Sequence, residues 1–165
     1  MTNSDMTTSD AEYLSRAVTL ATANVANNGG PFGAVVVTAE GKAFDGVNRV
    51  TASNDPTAHA EVSAIRNACA ELGTFDLSGA VLYTSCEPCP MCLAASLWAR
   101  VSRVVFAADR YDAAGAGFDD AAFYEYFEAP AAASLMPVSQ LTEGDGSEAM
   151  SPFNAWNAAE RRTDY

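Results

Sequence analysis

The spacing of apolar residues changes along the chain and predicts alternating helices and strands. Apolar positions that recur every three or four residues predict helices, and these cover residues 12–27, 59–72 and 90–99. Short apolar runs rich in β-branched residues predict strands, and these are residues 33–38, 43–48, 80–85 and 103–109. The alternation favours an α/β domain whose sheet contains parallel neighbours joined by right-handed crossovers.

Turn signals and looser patterns fill the rest of the chain. The NNGGP segment, residues 27–31, ends the first helix. The TASNDPT segment, residues 51–57, argues against regular structure because of its Asp-Pro pair. We expect a helix within residues 111–127. A short helix near the C terminus is predicted to be capped at Ser151, with Pro152 as its first residue.

Composition and charge narrow the class of protein. The 165 residues suffice for one domain, and a hydrophobic content of 49% can supply a core. Asp and Glu number 21 against 9 Lys and Arg, so the net charge of −12 disfavours a nucleic-acid partner. No segment is apolar enough to predict a membrane span. Residues 1–10 are polar and unlike a signal peptide, so we expect a flexible N-terminal extension and a cytoplasmic protein.

Cysteine and histidine, the residue types that most often bind zinc, are concentrated in two short segments. The TSCEPCPMC segment holds Cys86, Cys89 and Cys92, and the single histidine, His59, stands two residues before Glu61. In a reducing compartment, clustered cysteines favour metal binding or catalysis over disulfides. Two of the predicted helices begin at His59 and at the Cys89-x-x-Cys92 pair, so their starts would bring one imidazole and two thiolates together. Three ligands with an open position are typical of a catalytic zinc, and Glu61 is placed to hold the activated water.

Other interpretations of these residues stay open at this point. The cysteine pair alone fits a thiol redox protein, and the three ligands fit a non-catalytic zinc module, although neither requires Glu61. Cys86 could be a further thiolate ligand or a strand-end residue near the metal. Cys69 lies on the apolar side of its helix, and we expect it to fill the core.

The two segments together resemble a known signature. Residues 59–61 (HAE) and 88–92 (PCPMC) match the H-x-E…P-C-x-x-C pattern of the zinc nucleobase deaminases. The resemblance implies a three-layer α/β/α cytidine deaminase-like fold, with a mixed central sheet of about five strands and helices on both faces. It also implies that Glu61 is the catalytic proton shuttle and that Cys86 binds no metal. One Zn²⁺ per subunit would have three protein ligands, which are His59, Cys89 and Cys92.

Longer stretches resemble the bacterial guanine deaminases of the cytidine deaminase fold. They are GGPFGAVVV, SNDPTAHAEVSAIR, LYTSCEPCPMC, WAR, AGFDD, SPFNAW and the final DY, and they span residues 16–165. The resemblance implies hydrolysis of guanine to xanthine and ammonia, with zinc-bound hydroxide attacking C2. It also implies a homodimer in which residues 11–165 form one zinc deaminase domain. Residues 130–165, with Phe153 and Trp156, would be swapped onto the partner subunit.

The same resemblance implies a set of substrate-binding residues, which are Asn48, Asp120, Phe32, Ala60 and Tyr165. Asn48 would hydrogen-bond the purine ring. Asp120 would accept protons from the guanine edge, with Asp119 as the alternative contact, and Phe32 would supply an apolar wall. The zinc signature alone does not specify the amine, so guanosine, cytosine and an aminotriazine such as ammeline are alternative substrates. A tRNA adenosine is a less favoured substrate, because a protein with a net charge of −12 offers no basic surface to bind the phosphates of RNA.

Overall fold

The computed structural model describes residues 8–128, 135–140 and 147–164. Contacts divide the chain into two units, Met1–Phe123 and Tyr124–Tyr165. The helices and strands in chain order are α1 (Thr8–Ala26), β1 (Gly33–Val37), β2 (Ala43–Val47), α2 (Val50–Ser53), α3 (Ala60–Leu72), β3 (Val81–Cys86), α4 (Pro90–Trp98), β4 (Arg103–Ala108), α5 (Arg110–Gly115), α6 (Ala121–Glu128) and α7 (Ser147–Ala158).

The first unit contains a mixed sheet with the strand order β2-β1-β3-β4. β1 is antiparallel to β2 and to β3, whereas β3 and β4 are parallel. The family resemblance implies about five strands, but the described residues form four, as the apolar pattern predicts, and the chain beyond β4 forms α5 and α6. β2, β3 and β4 run in the same direction, so their carboxyl ends and the amino end of β1 lie along one edge of the sheet.

Helices cover both faces of this sheet. On one face, Ala17 of α1 packs in a cluster with Val35 and Tyr83. On the other face, α3 contributes Ala64 to a second cluster that contains Val36 and residues of α4. The small alanine side chains let the helices lie close to the strands. This arrangement confirms the predicted three-layer α/β/α fold.

Two glycines bring strands into direct contact with helix backbones. A Cβ atom on Gly46 of β2 would collide with the carbonyl of Ala60 and the amide nitrogen of Ala64. A Cβ atom on Gly33 of β1 would collide with the carbonyl of Ala17 in α1. β2 therefore lies against the first turn of α3, and this contact fixes the place where α3 begins.

The first helix begins earlier than the apolar pattern predicts. α1 starts at Thr8, and Asp10 is only 1% exposed. The Asp10 carboxylate accepts hydrogen bonds from the Tyr83 hydroxyl at 2.6 Å and from Nη2 of Arg103 at 2.6 Å. Thr8 to Asp10 thus belong to the folded unit and not to a flexible extension, because the ion pair of the buried Asp10 with the partly exposed Arg103 anchors them without leaving an apolar signal. Residues 1–7 of the predicted extension lie outside the described residues.

Two further helices differ from the sequence predictions. Within the TASNDPT region, Val50–Ser53 form one helical turn, closed by a hydrogen bond from the Asn54 amide to the Val50 carbonyl. In the second unit, α7 starts at Ser147 and runs through Pro152, so the predicted cap at Ser151 is wrong. Pro152 lies inside α7, past its first turn, and so removes one of the hydrogen bonds of the helix interior. No helix in the described ranges combines the length and apolar character that crossing a membrane requires.

Candidate functional site

Two helix N termini face the edge where the strand ends meet. His59 is the N-cap of α3 and Cys89 is the N-cap of α4, both with extended backbone. Pro90 takes the first position of α4, where its missing N–H costs no helical hydrogen bond. Ahead of α3, Asp55 accepts hydrogen bonds from the amide and hydroxyl of Thr57 at 2.8 and 2.7 Å. This turn carries the chain directly into His59.

The imidazole and two thiols form a compact ligand cluster. Nδ1 of His59 lies 3.7 Å from the Cys89 sulfur and 3.5 Å from the Cys92 sulfur, and all three ligand atoms lie within 4.8 Å of one another. Tetrahedral zinc with ordinary Zn–S and Zn–N bond lengths requires S···N distances of ~3.6 Å. The cluster therefore fits one zinc ion per subunit with three protein ligands and a fourth position for water, as predicted from the sequence.

The cluster also favours ionised ligands. Hydrogen bonds from the Cys92 thiol and from His59 lower the pKa of Cys89 to about 4. The hydrogen bond to the Cys89 sulfur raises the pKa of His59, and donation to that sulfur raises the pKa of Cys92. The N terminus of α4 adds its positive dipole end to this stabilisation of thiolate. A thiolate ready to bind a cation is thus available at neutral pH.

The other two cysteines lie apart from the ligand cluster. The Cys86 thiol is buried and lies 3.6 Å from the carbonyl of Asp109. Burial raises the pKa of Cys86 to about 11, so it stays a neutral thiol. Cys69 is half-buried and packs against the core cluster that contains Ala64. Both positions agree with the predicted roles, in which neither thiol is a ligand.

Glu61 lies in the first turn of α3 beside the ligand cluster. It is only 6% exposed. Burial is the main cause that raises its pKa, while a hydrogen bond from Cys92 acts in the opposite direction. A carboxyl group with a raised pKa exchanges protons more readily near neutral pH than an exposed one. The position and raised pKa of Glu61 are compatible with a proton carrier, and its catalytic role stays a prediction.

A cavity of about 530 Å³ opens beside the cluster, and four segments at the shared sheet edge form its wall. One segment precedes β1, and the others follow β2, β3 and β4. The lining residues are Asn28, Gly29, Gly30, Phe32, Asn48, Val50, Thr51, His59, Glu61, Cys86, Glu87, Cys89, Arg110, Ala113, Phe118, Asp119, Asp120 and Phe123. Because strand ends converge at this edge, residues distant in sequence meet around one pocket.

Most of the predicted substrate residues line this cavity. The Phe32 ring lies edge-on to Phe118 with centroids 4.9 Å apart. Oδ1 of Asn48 accepts a hydrogen bond from the amide of Val50 at 3.2 Å. The two acidic candidates differ, because Oδ1 of Asp119 accepts a hydrogen bond from a helix amide at 3.0 Å. Burial raises the pKa of Asp120, and both acids line the cavity.

Of the two remaining predicted substrate residues, Ala60 does not line the cavity, and Tyr165 cannot be placed relative to it. The Ala60 methyl is fully buried and packs in the core cluster between α3 and the sheet. Tyr165 lies outside the described residues, so its predicted role stays untested.

The cavity also contains charged residues that the sequence reasoning missed. Glu87 accepts a hydrogen bond from the amide of Arg110 at 3.0 Å, and both side chains line the wall. The Arg110 guanidinium lies 5.3 Å from the centroid of the Tyr111 ring. The sequence held a signal for Arg110, because it is the second residue after β4 and so falls at the carboxyl edge of the sheet.

Comparison with known proteins agrees with this architecture. Residues 7–108 match the cytidine and deoxycytidylate deaminase zinc-binding region. The chain is 51% identical to the guanine deaminase of Bacillus subtilis (strain 168), over 93% of this chain and 97% of that protein. The crystal structure of guanine deaminase from Bacillus subtilis superposes with a TM-score of 0.88 at 49% identity, covering 97% of this chain and 99% of that one.

More distant relatives share the same region. A guanine deaminase structure from Nitrosomonas europaea has a TM-score of 0.63 at 36% identity, over 69% of this chain and 66% of that one. A tRNA-specific adenosine deaminase of Agrobacterium fabrum (strain C58 / ATCC 33970) is 37% identical over 74% of this chain and 79% of that protein. The chain belongs to the family of deaminases built on the cytidine and deoxycytidylate deaminase zinc-binding region.

Proposed function

We propose that this protein hydrolyses guanine to xanthine and ammonia. One observation carries the proposal: the buried carboxyl group of Glu61 lies beside a three-ligand zinc cluster in the wall of a cavity sized for a small molecule. High similarity to a guanine deaminase over 93% of the chain supports the choice of amine. The cytoplasmic location expected from the sequence stays a prediction.

The residues of the chain divide the chemistry between them. His59, Cys89 and Cys92 would hold zinc, and the bound metal would supply Lewis-acid activation of the attacking water near neutral pH. Glu61 takes up the proton of the attacking water and passes it to N3 of the base. It then takes the remaining proton from the hydroxyl group added to C2 and delivers it to the 2-amino group, whose bond to C2 breaks as ammonia departs and the 2-oxo group of xanthine forms. The raised pKa of Glu61 suits both uptake and release of the proton.

The other walls of the cavity suit the edges of guanine. Guanine presents donors at N1–H and at the 2-amino group, and the Asp120 carboxylate can accept from them. Asn48 can hydrogen-bond an oxygen or nitrogen of the ring, while Phe32 and Phe118 provide apolar walls for its faces. Asp119 is engaged in capping α6, which favours Asp120 as the contact to the base.

The homodimer and the exchange of residues 130–165 belong to the same proposal. Phe153 and Trp156 lie three residues apart on α7, with 61% and 41% exposure. Such an apolar face favours burial against a partner. To test the exchange, an E61Q chain with an intact tail is mixed with a chain that carries Glu61 but has both aromatic residues replaced by alanine. A tail that completes the partner's site restores turnover in the mixture, whereas a tail that serves its own chain does not.

The direct test of the reaction is ammonia release by zinc-loaded protein supplied with guanine, guanosine, cytosine or ammeline. We expect a strong preference for guanine. Glu61→Gln should retain zinc and lose turnover by about two to four orders of magnitude. Glu71→Gln is the matched control, because Glu71 lies on the same helix with a 61% exposed side chain paired to Lys42. Near-normal turnover in the Glu61 variant, or activity on another amine alone, would contradict the proposal.

A further inference from the structure

We propose that Asn24, near the end of α1, is a positioning residue that holds Asn48 where its side chain can bind the base. The inference rests on the proposed function, because it concerns recognition of the same substrate. Asn24 does not line the cavity, and its side chain is half-buried behind the wall. It would therefore act through Asn48 and not by touching the substrate.

The contacts of Asn24 connect three segments of the cavity wall. Its side-chain Nδ2 donates to the carbonyl of Gly30 at 2.8 Å and to the carbonyl of Asn48 at 2.9 Å. Its own carbonyl accepts hydrogen bonds from the amides of Asn27 at 3.1 Å and Gly29 at 2.8 Å. One residue thus ties the helix end, the loop before β1 and the segment after β2 together.

The loop that Asn24 holds also contacts the side chain of Asn48. A Cβ atom on Gly30 would lie 3.1 Å from Cγ and Oδ1 of Asn48, so this loop packs directly on the amide. The Val50 amide donates a hydrogen bond to Oδ1 of Asn48 at 3.2 Å, which identifies that atom as the amide oxygen and gives it a partner within the protein. The Nδ2 group of Asn48 remains to donate to an acceptor of the base, and the 6-oxo oxygen of guanine is such an acceptor.

The position of Asn48 depends on both carbonyls that Asn24 holds. Without the Asn24 amide, the Asn48 carbonyl loses this donor and the Gly30 carbonyl keeps only the Phe32 amide, at 2.8 Å, so the loop is free to shift. Asn48 would contact the base in the ground state and in the transition state alike, so its displacement should raise KM more than it lowers kcat. For the loss of two hydrogen bonds we expect KM for guanine to rise about tenfold.

The test compares steady-state kinetics of N24A with those of N27A. Asn27 is a matched control at the same helix end, because its side-chain Nδ2 donates to the carbonyl of Ala23 in α1, at 3.0 Å, and not to the Gly30 or Asn48 carbonyl. N24A should raise KM for guanine about tenfold and change kcat by less than about threefold, with zinc content unchanged, whereas N27A should match the wild type. N24D is the second variant, since aspartate keeps the size but donates to neither carbonyl.

A double-mutant cycle separates the positioning role from general destabilisation. In the N48A background, replacing Asn24 should have almost no further effect on KM, because the residue it positions is gone. With 2-aminopurine, which lacks the 6-oxo acceptor, N24A and wild type should show similar KM values. A wild-type KM in N24A and N24D, a loss of kcat alone, or additive effects in the cycle would overturn the inference. A wild type inactive on guanine would overturn the proposed function itself, and the inference with it.

Discussion

Replacing Gly46 by alanine tests whether the contact between β2 and α3 positions the zinc site. The added Cβ atom would collide with the carbonyl of Ala60 and the amide of Ala64, and neither backbone atom can rotate away as a flexible side chain would. The start of α3 must therefore move by about an ångström, and His59 and Glu61 move with it. Overpacking of this kind costs about 1–3 kcal/mol of unfolding free energy.

The effect on function should exceed the effect on stability. A displacement of about an ångström can lower turnover about a hundredfold, and disturbed support of a metal ligand lowers metal affinity by about tenfold to a hundredfold. Zinc affinity is measured by competition with a chelator, turnover by ammonia release, and stability by urea denaturation of the zinc-loaded protein.

Two control variants distinguish this mechanism from a general loss of packing. Gly33→Ala places a Cβ against α1 on the opposite face, so it should lower stability by a similar amount but leave zinc affinity closer to normal. Gly115→Ala adds a Cβ in open space and should be neutral. Normal zinc affinity and normal turnover in the Gly46 variant would refute the claim that this strand positions the site.

Three further predictions concern the ion pair under α1 and the extra thiol. Asp10→Asn should lower the unfolding free energy by about 2 kcal/mol in urea denaturation, because the hydrogen bonds from Tyr83 and Arg103 lose their charged acceptor. Burial and the hydrogen bond to Asp10 raise the pKa of Tyr83 to about 12. The contribution of the neutral phenol to the unfolding free energy is therefore complete below pH 10 and should be lost as the pH rises toward 12. A Tyr83→Phe variant whose unfolding free energy depends on pH in the same way as the wild type would contradict this. Cys86→Ala should retain one zinc per chain by elemental analysis, whereas Cys92→Ala should bind none.

The sequence predicted the fold where its apolar spacing was strong. All four strands and the helices beginning near His59 and Pro90 lie within one or two residues of their predicted bounds. The start of α1 was missed because the buried Asp10 stabilises it through an ion pair with Arg103, and a pattern based on apolar residues treats an acid as exposed. The cap at Ser151 was wrong because a favourable cap residue can also lie inside a helix.

The candidate site was predictable only as far as local motifs reached. The HAE and PCPMC segments indicated the ligands and Glu61 without any knowledge of tertiary contacts. Arg110 and Asn24 carry no motif, because their importance depends on which strand ends and loops meet at one edge of the sheet. That neighbourhood follows from the strand order β2-β1-β3-β4, which the pattern of single elements does not specify.

The common edge of the sheet has a consequence for how such a protein can diverge. The metal ligands stand at the starts of helices packed on the core, so substitution there endangers folding as well as chemistry. The residues that would face a substrate stand on loops, where replacements and insertions are tolerated. A lineage can therefore exchange the amine it selects while inheriting the hydrolytic centre unchanged. This separation agrees with the similarity of the chain both to a guanine deaminase and to a tRNA-specific adenosine deaminase.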